Sequence, residues 1–153
     1  MSTLTEASAA PGTRKVDQLL AHYGESHRDP RNERIHFVAI PLIMVSLLGL
    51  LFALHPWVAY GFVLASMVYY ARLSGVFLLA MAALSIVGLA LVHVIGERVL
   101  LVSLAIFVLA WIAQFVGHKL EGRKPSFFED LQYLWVGPIF VLSKLFLKLG
   151  IRW

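Results

Sequence analysis

Four long stretches of apolar residues leave this chain few ways to fold. Residues 37–54 carry no charge over 18 positions, 57–71 none over 15, 73–95 none over 23, and 99–117 none over 19. A membrane-spanning helix needs about 20 predominantly apolar residues, with a working range of roughly 17–25. The first, third and fourth stretches meet that length. The second is short and needs tilt, local bilayer thinning, or Leu54 and His55 drawn into the helix. Composition agrees. Hydrophobic residues are 59% of the chain and charged residues 14%, where soluble domains carry about 25% charged residues. The mean hydropathy is +0.79. These values exclude a disordered chain, a collagen-like chain and almost any soluble globular enzyme. Cysteine is absent, which removes disulfides, zinc–thiolate sites, iron–sulfur clusters and thiol nucleophiles.

The flanks are different in character. Residues 1–15 read as a disordered N-terminal tail, with a small, polar, Pro- and Gly-containing start and no apolar run behind a basic one. Val16, Leu19, Leu20 and Tyr23 recur at helical spacing and predict a short amphipathic helix. Asp29, Pro30 and Asn32 then break that helix or start another. Residues 133–149 are apolar but contain Pro138, Lys144 and Lys148. Lysine is costly at mid-bilayer and cheap at the interface, so residues 142–149 read as an interfacial helix, with a fifth span as the alternative. Residues 16–153 then form a single membrane-embedded domain.

Charge placement favours four spans. One side receives Arg14, Lys15, Arg28, Arg31, Arg34, Arg72, Lys119, Arg123 and Lys124, and the other receives Arg98. By the positive-inside rule the basic side is cytoplasmic. The formal net charge of +4 thus reads as a membrane-facing excess and not as a nucleic-acid surface. The expected architecture is all-α and integral to the membrane: four transmembrane helices in two hairpins, an N-terminal amphipathic segment and a C-terminal interfacial helix. The membrane is a bacterial inner membrane or the endoplasmic reticulum.

Six histidines remain to be explained. His22, His27, His36 and His118 fall on the cytoplasmic side, at or just beyond the ends of the first and fourth spans. Imidazoles gathered at one interface make a candidate metal site. Asn32 and His36 are four residues apart, as are Gln114 and His118, so each pair shares a helix face. Trp111 lies one turn deeper on the Gln114 face. The two amides are placed to orient an imidazole or a bound substrate. Glu33 and Glu121 are nearby carboxylates. Three histidines, or two and a carboxylate, suit Fe(II) with positions left open. His55 and His93 read as ordinary polar residues near the opposite face. The sequence has no HExxH, no GxSxG and no HxxxH or HxxHH box.

The stretch SHRDPRNERIHFVAIPLI and the downstream WIAQFVGHKLEGRKP resemble the membrane 2-hydroxy fatty acid dioxygenases. That family includes a yeast enzyme of fatty-acid α-oxidation and bacterial relatives, and was formerly grouped as a domain of unknown function. Its H-x-x-P-x-N-x-x-x-H pattern is met by His27, Pro30, Asn32 and His36. Its W-x-x-Q-F-x-G-H pattern is met by Trp111, Gln114, Phe115, Gly117 and His118. The resemblance runs from about residue 19 to 149. It implies an Fe(II) cofactor held by His27, His36 and His118, with His22 a further candidate ligand and Glu121 a catalytic carboxylate. It also implies that a 2-hydroxy fatty acid is cleaved with O2 to a fatty acid one carbon shorter, with the acyl chain reaching the site from the surrounding membrane lipid. The alternative is a non-catalytic membrane protein that binds lipid or assists assembly. A haem-binding or small transport protein is a third reading, whose best haem ligand is His93.

Overall fold

The computed structural model describes residues 13–124 and 127–153, and among these the chain is entirely helical. Its elements are α1 (Lys15–Gly24), α2 (Pro30–Leu54), α3 (Pro56–Ala71), α4 (Gly75–Ile95), α5 (Val99–Leu120), α6 (Phe127–Gln132) and α7 (Val136–Leu149). A short 3-10 turn, Gly96–Arg98, joins α4 to α5. Two runs, Pro30–Leu54 and Gly75–Leu120, are long and apolar enough to cross a membrane. Most of the tail expected at residues 1–15 lies outside the described residues. Its last positions are already ordered: Arg14 pairs with Asp17 at 2.9 Å and also donates to the carbonyl of Trp153.

Local chemistry sets the helix ends. Asp29 caps α2, accepting from the Arg31 amide at 2.8 Å, and Pro30 occupies the first helical position, where its missing N–H costs nothing. The residue before a proline avoids helical geometry. His55 is accordingly extended, with φ −168° and ψ 136°, and its Nδ1 accepts from the Trp57 amide to cap α3. One residue therefore separates α2 from α3. The Gly75–Leu120 run spans 46 residues, about 69 Å if straight. It does not stay straight. Gly96 has φ +62°, a conformation other residues reach only with strain, and α4 and α5 touch on either side of it.

The α2–α5 pair is the most extensive helix contact. The helices run antiparallel, with Gly49 against Ser103 and Val99 at one end and Gly117 against Asn32 and His36 at the other. A Cβ at Gly49 would collide with the Ser103 hydroxyl, so small residues set how closely these backbones approach. α3 and α4 pack beside α2, and α7 lies across α2, α4 and α1. The main core joins Val16, Leu20 and Tyr23 of α1 to Ile40, Tyr70, Phe77 and Met81, and to Ile139, Phe140 and Phe146 of α7. Leu64, Leu79, Ile86, Leu101 and Leu109 point outward and stay exposed.

Two expectations about the C-terminus change. α7 begins at Val136, six residues before the expected start, and Val136, Ile139, Phe140, Ser143 and Phe146 are buried. It is a core helix as much as an interfacial one. Its 14 residues reach about 21 Å, too short for a fifth span. Pro138 causes no kink there because it sits in the first turn, where no intrahelical donor is missed. The segment before α7 is tied to α3: Tyr70 donates to the Trp135 carbonyl at 2.9 Å, and the Trp135 indole donates to Ser66 Oγ at 2.8 Å. Tyr70→Phe leaves that buried carbonyl without its donor. It is expected to destabilise the protein by about 1–3 kcal/mol, read as a lower Tm in detergent.

Candidate metal site

Three separate elements each deliver one imidazole. His27 lies in the link between α1 and α2, where its ring stacks on Tyr23 with centroids 4.3 Å apart. His36 is in the second turn of α2, and His118 is in the last turn of α5. All three are buried. Their ring centroids are 4.3 Å apart for His27–His36, 4.9 Å for His36–His118 and 5.7 Å for His27–His118. One potential ligand atom from each ring lies within 4.8 Å of the others. An ion about 2.1 Å from each nitrogen requires separations of up to about 4.2 Å, close to what these rings present.

The hydrogen bonds favour that use. His27 Nδ1 donates to the Tyr23 carbonyl at 2.8 Å, and His36 Nδ1 donates to the Asn32 carbonyl at 3.0 Å. Each bond spans one helical turn and fixes the ring with Nε2 as the lone-pair nitrogen. Both Nε2 atoms are buried without a hydrogen-bond partner among the described residues. Leaving such an acceptor unsatisfied costs about 1–3 kcal/mol, and a coordinated ion removes that cost. His118 Nε2 donates to Asp130 Oδ1 at 2.9 Å, which leaves Nδ1 as its remaining ligand atom. A ring nitrogen held by a carbonyl or carboxylate, with the other free, is the usual arrangement behind a metal-bound histidine. Burial, joined by the neighbouring His118, pushes the His27 imidazole below its ordinary pKa, against the pull of the Tyr23 carbonyl. The neutral form, the one that binds metal, is thereby favoured.

Glu121 holds the two sequence blocks together. It caps α5, and its carboxylate accepts from the Arg28 and Asp29 amides at 2.9 Å each and from Asn32 Nδ2 at 3.0 Å. It thus seats a negative charge on the amino end of α2, where the helix dipole favours one. Desolvation opposes its ionisation, but these three donors keep its carboxyl below the ordinary range. At α5 the Arg123 amide bonds to the His118 carbonyl and the Gly122 amide to that of Lys119, both at 3.1 Å. That pairing is a Schellman motif, and it closes the turn that carries His118.

Asn32 is fully buried, with Nδ2 bonded to Ser26 and Glu121 and Oδ1 unpartnered. Gln114 is buried one turn below His118, with Oε1 unpartnered. Gly117 faces both Asn32 and His36, and a Cβ there would collide with Asn32 Oδ1 and lie 3.3 Å from the His36 ring. His22 is not among the three clustered rings. It is exposed, 3.8 Å from Glu25. His55 and His93 are exposed as well, and His93 bonds the Leu89 carbonyl.

Asp130 was not legible as part of this site. It lies twelve residues after His118, across a chain reversal, so no helical register links them. Its acidic character within an otherwise apolar stretch was the available signal. The Lys144–Glu33 pair at 3.2 Å, which ties α7 to the first turn of α2, was also unread, although both charges stood out in the sequence.

The comparisons with known proteins span the segments that carry these residues. A family model described as "2-hydroxy-palmitic acid dioxygenase Mpo1-like" matches residues 13–149. The chain belongs to this family. It is 30% identical over 138 residues to the 2-hydroxy-palmitic acid dioxygenase MPO1 of Saccharomyces cerevisiae, covering 86% of this chain and 79% of that protein. No solved structure matches the chain.

Two outcomes test the geometry of this Mpo1-like site. Gly117→Ala is expected to lower metal retention more than it lowers helical content, read by elemental analysis beside circular dichroism. Acid sensitivity follows from Asp29, whose carboxyl is held down to about 2 by its hydrogen bond to the Arg31 side chain, and from Glu121. Both pKa values are depressed on folding, so their stabilisation is present above the unfolded carboxylate range near pH 4 and is lost as pH falls toward 2. Glu121→Gln is expected to flatten that acid limb of the Tm–pH curve.

Proposed function

We propose that this protein is an Fe(II)-dependent dioxygenase of the membrane that cleaves 2-hydroxy fatty acids with O2 to fatty acids one carbon shorter. The observation that carries the reading is the set of three buried imidazoles, two of them with unpartnered Nε2 atoms directed into one small volume. The family supports the substrate class, since the yeast relative is named for 2-hydroxy-palmitic acid. Residues 16–153 act as one catalytic domain.

His27, His36 and His118 are the proposed iron ligands. The exposed His22 is assigned no such role. Fe(II) held by these three imidazoles would supply O2 activation and bind the hydroxyl and carboxylate of the substrate. Loss of the carboxyl carbon as CO2, together with conversion of the hydroxyl carbon to a carboxyl group, releases four electrons, which reduce one O2. The protein does the rest. The Tyr23 and Asn32 carbonyls and the Asp130 carboxylate fix ring orientation. Gln114 Oε1 is available to accept a hydrogen bond from the substrate hydroxyl. Glu121, expected as a catalytic carboxylate, has both oxygens engaged by the amino end of α2. Its proposed role is positioning: it holds His27 and His36 against His118. Orientation of this kind is worth several kcal/mol of barrier.

The membrane reading rests on helix length and surface chemistry. α2, α4 and α5 have 25, 21 and 22 residues, about 38, 32 and 33 Å, against a hydrocarbon core of about 30 Å. α3 has 16 residues and reaches about 24 Å, which local bilayer thinning and snorkelling of flanking residues accommodate. Only 22% of the most apolar window of Gly75–Leu120 is buried in the protein, so its outward leucines suit lipid. The basic residues gather at the histidine end, and the positive-inside rule supports reading that end as cytoplasmic.

Purified protein is expected to carry about one iron per chain and to consume 2-hydroxypalmitate in an O2-dependent, chelator-sensitive reaction. His118→Ala is expected to lose both iron and turnover. Asp130→Asn is expected to weaken metal affinity about 10–100-fold, read by competition with a chromogenic chelator. Full turnover by iron-free protein rejects the assignment.

A further inference from the structure

The region between α2, α3, α4 and α7 contains an apolar cavity of about 270 Å³. Ile40, Met44 and Pro138 form its near end, and Leu48, Leu84 and Gly88 its far end. The same Ile40, Met44 and Pro138 also wall a small chamber of about 20 Å³, closed on its other side by Tyr23, Asp130 and Tyr133. Those three residues in turn line a third chamber, of about 50 Å³, at His27 and His118. The three spaces therefore share walls in sequence, from the histidine cluster to an apolar cavity among the helices that opens partly to the outside at Leu84 and Val87.

Polarity changes along this series. The middle chamber is bordered by Trp111, Gln114 and Asp130, whose Nε1, Oε1 and Oδ2 atoms are buried and unpartnered. Beyond the neck the walls are almost wholly hydrocarbon. Ser66, one of the few polar groups there, is already bonded to the Phe62 carbonyl and the Trp135 indole. A ligand fitting the whole path has a polar head and a long apolar tail. Twelve residues of α2 separate His36 from Leu48, about 18 Å along the axis, the reach of an extended long-chain acyl group.

We propose that this cavity is the acyl-chain site, entered from the metal site through the Ile40–Met44–Pro138 neck, and that the Leu48–Gly88 floor sets the longest chain accepted. The proposal rests on the dioxygenase reading and adds to it the residues that select chain length. Gly88 defines the floor because a Cβ there would lie 3.2 Å from Leu48 Cδ2. The occupant is the tail of the 2-hydroxy acid itself, because the cavity shares its Ile40, Met44 and Pro138 wall with the chamber that in turn shares Tyr23, Asp130 and Tyr133 with the space at the histidines.

The test uses the full chain, iron-loaded in nanodiscs, with 2-hydroxy acids of eight to eighteen carbons. Ser85→Phe fills the cavity wall and is expected to lower the kcat/KM ratio of 2-hydroxypalmitate to 2-hydroxyoctanoate by about tenfold or more. Leu48→Ala deepens the floor and is expected to shift the preference toward longer chains. A second readout needs no turnover: a 2-hydroxy acid with a diazirine at its methyl end is expected to label wild-type peptides around Leu48, Ser85 and Gly88. Excess 2-hydroxypalmitate is expected to suppress that labelling, and excess phospholipid is not. Unchanged chain-length profiles in two active, iron-retaining variants overturn the proposal while leaving the dioxygenase reading intact. So does labelling confined to outward residues such as Leu79 and Ile86, or labelling suppressed by phospholipid alone. Wild-type protein that holds iron but consumes no 2-hydroxy acid of any length overturns the dioxygenase reading, and this proposal with it.

Discussion

The close seam between α2 and α5 is the contact on which the rest depends. Glycine at 49 and 117 lets the two backbones approach at both ends of the seam, and the approach at Gly117 puts Asn32 and His36 against the turn that carries His118. Glu121 then locks the register through the backbone amides at the start of α2. Charge-assisted bonds of this kind are stronger than neutral ones and directional. A shift of α2 by one residue along this seam would turn His36 by about 100° and remove it from the cluster.

The site is also closed from a second direction. α1 packs on α7, and α7 on α2, and the core of Leu20, Tyr23, Ile139 and Phe140 positions the Tyr23 ring on which His27 stacks. α6 carries Asp130 to His118, and the α6–α7 connection is held from behind by Tyr70 and Ser66 of α3 through Trp135. Every helix thus bears on the three imidazoles, directly or through one intermediary. Polar groups are concentrated at one end of the bundle, and hydrocarbon surrounds the other. An amphiphilic substrate needs that separation, because its carboxylate and its tail must be accommodated within about 20 Å of each other.

Much of this was readable from local pattern. The apolar stretches marked α2 to α5 within a few residues, because Pro30, Pro56 and Gly96 punctuate them and the chemistry of proline and glycine is local. The recurrence of Val16, Leu20 and Tyr23 marked the buried face of α1. The pairs Asn32–His36 and Gln114–His118 followed from helical periodicity alone. The start of α7 was misplaced because lysines at 144 and 148 drew attention to a polar edge, while the buried face comes from Ile139, Phe140 and Phe146, whose partners are on other helices.

The sequence by itself determined α1 to α5 and most of their ends, the outward hydrocarbon and the residue types able to hold a metal, since each depends on neighbours within one or two turns. Tertiary structure decided which histidines meet. His22 and His27 lie five residues apart, yet one is exposed and the other buried, because the break before Pro30 turns only the second inward. It also decided that Asp130 partners His118, that Glu121 serves the backbone of α2, and that an apolar cavity lies among α2, α3, α4 and α7. Those outcomes depend on distances between segments from twelve to about ninety residues apart, which only the packing of one helix on another can set.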